Sequence, residues 1–321
     1  MSDVAFTSTR SHKICASVME AIGHTPAVRL SRLFAEHTQV EVIAKLEYMN
    51  PSGSIKDRMV RYILKHAQDN QLLESGRVIE SSSGNTGAAL AMACAVNQLA
   101  CEITVPDTTS IEKIKRINTY GARVHSCQSN IPANHPESYY SVARELAEKM
   151  DAFHLDQYRS ELNRNAHYSD TAPEIWDQMD GNIDYFVCGI GSGGTISGIG
   201  KYLKERNPKI KIIGVEPSGS NYRSIVNKVA SDGDFCTIIE GIGKQKATEC
   251  FDPSVIDDVL QVDDATSLEF CRRISREEGI LVGGSSGSVA AGIAALLKKT
   301  KNGRFITIFP DSGAFYLSKY F

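Results

Sequence analysis

Short apolar, β-branched runs alternate with longer helix-patterned stretches along almost the whole chain, and turns rich in Gly and Ser separate them. Residues 40–46 read as a strand and 57–68 as a helix. Strands follow at 78–80, 101–105 and 122–125, interleaved with helices at 86–97, 110–119 and 136–150, the last with Pro136 in its first turn. The second half repeats the rhythm, with strands at 185–188, 211–215 and 305–309 and helices at 194–205, 265–278 and 286–299. Strands alternating with helices of this length predict an α/β fold of parallel sheets, covered by helices on both faces. Ligands of such sheets bind beyond the carboxyl ends of the strands, at helix N-termini. The turns are therefore where chemistry is expected.

The chain has 321 residues, enough for two such units. A net charge of −3 gives no electrostatic footprint for nucleic acid or an anionic membrane. No apolar run reaches membrane-spanning length, residues 1–13 read as a polar, frayed start without a leader pattern, and the expected location is cytoplasmic. The eight cysteines form no CxxC pair, no metal-ligand spacing is present, and most of the cysteines read as small buried hydrophobes. Residues 228–234 read as a polar surface loop.

Four turns carry candidate chemistry. Pro51-Ser52-Gly53-Ser54-Ile55-Lys56-Asp57-Arg58 leads into a helix with a lysine at its mouth. That lysine is either a surface cation or a Schiff-base former for an aldehyde cofactor. Ser81-Ser82-Ser83-Gly84-Asn85-Thr86-Gly87 offers hydroxyls, a carboxamide and free amides, which make an elaborate N-cap or a carboxylate receptor. Gly189-Ile190-Gly191-Ser192-Gly193-Gly194-Thr195 has the glycines to wrap a phosphate and lacks the ending of a Walker loop. It also matches the dinucleotide pattern, with Glu216 placed as a ribose-binding acid, although it opens no chain-leading βαβ unit. Gly283-Gly284-Ser285-Ser286-Gly287-Ser288 is a flexible capped loop or a further ligand contact.

Together and in this order, the turns resemble the cysteine synthase/cystathionine β-synthase family of fold-type-II pyridoxal-phosphate enzymes. The likeness runs from about Ala21 to Leu317. It is carried by Gly23-His24-Thr25-Pro26, Lys45-Leu46-Glu47-Tyr48-Met49-Asn50-Pro51, Ser54-Ile55-Lys56-Asp57-Arg58, Ser83-Gly84-Asn85-Thr86-Gly87, Gly191-Ser192-Gly193-Gly194-Thr195, Glu240-Gly241-Ile242-Gly243 and Pro310-Asp311-Ser312-Gly313. The resemblance implies a tryptophan synthase β-like fold of two three-layer α/β domains with parallel sheets. A small mobile domain would span 47–160, and 1–46 with 161–321 would form the large, phosphate-binding one. It implies a homodimer acting on small amino acids.

The resemblance also implies roles. Lys56 would hold pyridoxal phosphate as a Schiff base and serve as the catalytic base. Asn85 would contact the ring hydroxyl, Gly191, Ser192, Gly193, Gly194 and Thr195 the phosphate, and Ser285 the pyridine nitrogen. Ser82, Ser83, Thr86 and Gln157 would hold the substrate carboxylate, with Tyr158 and Gly241 beside it. Position 82 is usually threonine in the family, so serine there keeps the hydroxyl and loses a methyl. The implied reaction is β-replacement on L-serine or an O-activated L-serine through an aminoacrylate.

Asp156-Gln157-Tyr158-Arg159, Pro136-Glu137-Ser138, Ala166-His167-Tyr168, Gly283-Gly284-Ser285 and the C-terminal Tyr316-Leu317-Ser318-Lys319-Tyr320-Phe321 lean toward cystathionine β-synthases. The family's haem-binding extension and paired regulatory repeats have no counterpart here, so neither form of control is expected. Lys244-Gln245-Lys246 stands where those synthases tend to have a tyrosine. The lysines form either a solvated pair or a receptor for a second carboxylate or a phosphate. Cysteine synthase, an O-phosphoserine-dependent synthase with an amine nucleophile such as glutamate, and a non-catalytic amino-acid sensor are the other readings. Arg159, Arg164 and Arg223 join the lysines as candidates for substrate selection.

Overall fold

The computed structural model describes residues 14–230, 233 and 235–321. The polar start at 1–13 lies outside the described residues, as do 231, 232 and 234 of the expected loop. Lys228, Val229 and Ala230 of that loop are exposed. The first half runs β1 (Ala27–Arg29), β2 (Val40–Leu46), α1 (Lys56–Asp69), β3 (Arg77–Ser81), α2 (Asn85–Asn97), β4 (Ala100–Pro106), α3 (Ile111–Thr119), β5 (Arg123–Cys127), α4 (Tyr139–Lys149) and β6 (Phe153–His154). The second runs α5 (Glu161–Ala166), α6 (Ala172–Gln178), β7 (Tyr185–Gly189), α7 (Gly194–Arg206), β8 (Lys211–Pro217), α8 (Tyr222–Val226), β9 (Asp258–Val262), α9 (Asp264–Arg273), α10 (Gly284–Leu297) and β10 (Gly303–Phe309).

These strands make two sheets. One has the order β1-β2-β10-β7-β8-β9 and the other β5-β4-β3-β6. All pairings are parallel except that of edge strand β1, which runs antiparallel to β2. Each sheet has one point where the chain order reverses: between β7 and β10 in the larger, between β3 and β6 in the smaller. Crevices open at such points beyond the strands' carboxyl ends.

The expected helices stand, with shifted ends. The helix expected from Pro136 begins at Tyr139, because Ser138 caps it by accepting from the Ser141 amide at 3.2 Å. The helix expected to 278 is α-helical to Arg273 and closes with a π turn, Ile274–Glu278. Strands β1, β6 and β9 and helices α5, α6 and α8 had no sequence signal. They are short, and tertiary pairing holds them.

Helices α2 and α10 are rich in small residues and buried along most of their length. This lets each lie close against its sheet. At the foot of α1 the interior is ionic instead. Fully buried Arg58 donates to Glu47 at 2.7 and 2.8 Å and to Glu174 at 2.9 Å. Lys45 donates to Glu174 at 2.6 Å and to the Thr25 carbonyl at 3.0 Å, and the Thr25 hydroxyl donates to Glu47 at 2.7 Å. Burial raises the Glu47 carboxyl, yet Arg58 and then Lys45 hold it down at about 2. Such a network contributes more to register than to net stability. Here it fixes the helix whose first residue is Lys56. No helix among the described residues is long and apolar enough to cross a membrane.

Candidate active site

Lys56 is aimed by the turn before it. The Ser52 amide and hydroxyl both donate to Asp57, the amide at 2.7 Å, and the Lys56 amide donates to the Ser54 hydroxyl at 3.2 Å. Burial lowers the Lys56 pKa, against partial opposition from Cys188 and Asp311. An amine that loses its proton readily is a nucleophile and a base.

On one side Lys56 faces the switch point of the larger sheet. The cavity there is lined by Cys188 and Gly189 at the end of β7, Ile308 and Pro310 at the end of β10, and Gly191, Ser192, Gly193, Thr195, Gly241 and Ser285. Helix α7 begins at Gly194, so the amides of its first turn lack carbonyl partners within the helix; that of Gly194 donates to the Ser192 hydroxyl at 3.4 Å, and Thr195 and Ile196 of this turn line the cavity. A Cβ on Gly191 would collide with the Gly241 carbonyl oxygen, and one on Gly194 with the Asn163 carboxamide. Asn163 donates to the Ser192 hydroxyl at 3.0 Å, and Thr248 donates to the Ser192 carbonyl. His167 is buried and lies 3.2 Å from the Thr195 hydroxyl. Burial, then the Lys56 charge, pushes its pKa down to about 3, so its ring is neutral. The cup thus receives an anion with amides, hydroxyls and a helix dipole.

Across the cavity, Ser285 sits in the first turn of α10 and is 3 % exposed. Among the described residues nothing hydrogen-bonds its hydroxyl. An aldehyde-reactive amine, an amide-lined phosphate cup and a free hydroxyl opposite it fit pyridoxal phosphate.

On its other side Lys56 faces the switch point of the smaller sheet. A second cavity, about 170 Å³, shares Lys56, Gly191, Ser192, Gly241 and Ile242 with the first. It adds Ser82, Ser83, Gly84, Asn85 and Thr86 from the turn after β3, and Gln157 and Tyr158 from the turn after β6. The Thr86 hydroxyl donates to Gln157 at 2.7 Å. Asn85 donates to Asp311 at 2.6 Å, and Tyr316 donates to the same Asp311 oxygen at 2.6 Å.

A third cavity, about 660 Å³, opens outward from the second past Tyr158 and Lys244. Its walls include Arg144, Arg159, Lys246 and His154, against Asp156 and Glu249. Lys244 lies 4.3 Å over the Tyr158 ring, at the border between the two spaces.

All expected site residues except Gly194 line the first two cavities; Gly194 packs behind, against Asn163. Of the substrate-selection candidates, Arg164 and Arg223 line none of the three. Arg164 pairs with Glu161 at 2.9 Å, and Arg223 bonds Gln261 at 3.3 Å. An arginine's reach depends on the fold, which its sequence position does not state. Sequence reasoning missed Asn163, Thr248 and Glu80, which act across the fold and lie in no local pattern.

The chain matches the family model for pyridoxal-phosphate dependent enzymes over residues 18–311. It is 40% identical to a cystathionine beta-synthase of Apis mellifera over 96% of this chain and 62% of that one. It is 38% identical to one of Rattus norvegicus over 97% of this chain and 56% of that one. The chain therefore spans about three-fifths of the length of these curated relatives. Among solved structures, O-ureido-L-serine synthase superposes with a TM-score of 0.88 at 32% identity, covering 96% of this chain and 95% of that one.

Proposed function

The chain belongs to the family of pyridoxal-phosphate-dependent enzymes, and on that premise we propose that it replaces the β-substituent of L-serine or an O-activated L-serine with an incoming nucleophile. The observation that carries this reading is the position of Lys56 on the wall shared by the two inner cavities. One cavity suits the cofactor's phosphate and ring, the other an amino acid's carboxylate.

Gly191, Ser192, Gly193, Gly194 and Thr195 would hold the phosphate, Asn85 the ring hydroxyl and Ser285 the pyridine nitrogen. The bound cofactor supplies an electron sink for charge developing at the substrate's Cα. Ser82, Ser83, Thr86 and Gln157 hold the substrate carboxylate, which fixes Cα against Lys56. The desolvated Lys56 amine takes the Cα proton and returns it after the nucleophile has added at Cβ. Ser285 offers a neutral hydroxyl and is a poor proton source, which favours prompt loss of the β-substituent over transamination or racemisation. Residues 47–160 close as a unit on the bound carboxylate and exclude water.

The nucleophile enters through the outer cavity. The identities to cystathionine beta-synthases favour homocysteine, within a cytoplasmic homodimer. Lys244 at the inner border favours any nucleophile with its own carboxylate. That admits a second reading, an amine such as glutamate acting on O-phosphoserine, and speaks against sulfide as in a cysteine synthase.

The test is the visible absorption of the purified holoenzyme with L-serine, O-acetyl-L-serine or O-phospho-L-serine, each alone. The expected result is a shift of the cofactor band by one donor, reversed by homocysteine. Reversal by glutamate or sulfide would replace the nucleophile. No shift with any donor would overturn the reading.

A further inference from the structure

Glu80 is the last-but-one residue of β3 and is fully buried directly beneath the turn assigned to the substrate carboxylate. One carboxyl oxygen accepts from the Ser81 amide at 2.7 Å and from the Ser81 hydroxyl at 3.2 Å. The other accepts from the Gln157 amide at 3.2 Å. The two halves of the carboxylate receptor come from different strands, β3 and β6, and Glu80 joins them. Thr86 and Gln157 complete the loop from above.

Among the described residues Glu80 has no ion-pair partner. The titratable groups that interact with it are Asp156 after β6, Tyr139 of α4 and Tyr158. None of these neutralises a carboxylate. A negative charge at Glu80 would also face the negative charge of an incoming substrate, through little water.

We propose that Glu80 is a positioning residue that, in its neutral form, straps the two halves of the substrate-carboxylate receptor together, so that the amino-acid substrate binds only while Glu80 holds its proton. This rests on the carboxylate site proposed above. Burial raises the Glu80 carboxyl to about 8 against the pull of the Gln157 and Ser81 bonds, with Asp156 adding to the rise, so the requirement falls at the upper edge of the physiological range.

The test is titration of the holoenzyme with L-serine, or with whichever donor shifts its absorption band, at pH 7 and pH 9. Wild type and Glu80→Gln are compared. The apparent Kd of wild type should rise about ten-fold more over that interval than that of the variant, the effect of one required proton. The substrate's own amine and Lys56 titrate in both proteins and cancel in the comparison. Glutamine cannot titrate but keeps one acceptor where the carboxyl had two, so its Kd should be raised at both pH values with little change between them, and cofactor content should be unchanged. Glu80→Ala should raise Kd at both values while leaving cofactor affinity intact. Parallel pH profiles for wild type and Glu80→Gln would overturn the proposal. Absence of any substrate-induced shift in both proteins would overturn the carboxylate site itself, and this inference with it.

Discussion

The two turns that face each other across Lys56 are alike in composition and opposite in construction. Both run from the end of a central strand through Gly and Ser into a helix, each beside its sheet's switch point. The turn before α7 is locked by contact. Neighbouring atoms occupy the space a side chain would need at Gly191 and Gly194, and Asn163 and Thr248 clamp Ser192. The turn before α2 is open at its tip and closed only at its far end. A Cβ on Gly84 would meet nothing within 4 Å, one on Gly87 in the first turn of α2 would meet the Ser82 carbonyl oxygen at 2.7 Å, and the shape between them is held by hydrogen bonds among Ser81, Thr86, Gln157 and Glu80. A resident cofactor suits a rigid cup. A substrate that must come and go suits a receptor of hydroxyls that reorganises at low cost.

On the proposed function the two turns serve one amine, so removing it has the largest effect. Lys56→Ala should lower turnover by about 10³-fold, within the range for general-base loss. Binding of free pyridoxal phosphate to the cup should survive, as read by fluorescence of the bound cofactor. Retained turnover would mean that the two cavities do not share their chemistry.

Glycine substitution breaks the comparison directly. Gly191→Ala and Gly194→Ala force the cup apart, at about 1–3 kcal/mol for overpacking. Cofactor affinity should fall about ten- to hundred-fold. Gly84→Ala should change cofactor affinity by less than about two-fold, since its Cβ has room. Equal losses in all three would show that openness at Gly84 is only apparent.

Smaller still is the loss of one hydroxyl from the open turn. Thr86→Val keeps shape and removes the bond to Gln157, at about 1 kcal/mol. The substrate KM should rise about five-fold with kcat and cofactor content little changed. A fall in kcat with KM constant would move Thr86 from binding into the chemical step.

What the sequence states about these turns follows the same division. Glycines and hydroxyls act through the backbone next to them, so Gly191 to Thr195 and Ser82 to Thr86 were legible as strand-end turns, while the ligands assigned to them came from the resemblance. Lys56 alone read as either a surface cation or a Schiff-base former, and only the order of the four turns, through the family they resemble, singled it out. The groups that finish each turn were not legible. Asn163 reaches Ser192 from α5, and Glu80 reaches Gln157 from another strand. Neither contact leaves a periodic or local mark. Arg164 and Arg223 show the converse, since charge alone suggested substrate contacts that the fold directs elsewhere. The strand β9 also escaped notice, because its pairing with β8, rather than its own pattern, makes it a strand.

The finest contrast is in proton linkage. His167 behind the cup is held neutral down to about 3 from an ordinary 6.5, by burial and then by Lys56. Between those values the unfolded chain binds a proton that the fold does not. The stability tied to His167 is therefore complete above 6.5 and is lost as pH falls toward 3. Glu80 under the open turn has the reverse linkage. Its carboxyl is raised from 4.5 to about 8, chiefly by burial, so between those values the fold holds the extra proton. Its contribution is complete below 4.5 and is lost as pH rises through about 8. Each slope is at most about 1.4 kcal/mol per pH unit. Urea denaturation of holoenzyme should therefore show His167→Gln gaining on wild type as pH falls below 6.5. Glu80→Gln should gain on wild type as pH rises from 4.5 toward 8. Differences that run in the same direction with pH would mean that the two turns share one electrostatic environment, and the contrast between a neutral-base cup and a neutral-acid strap would fall.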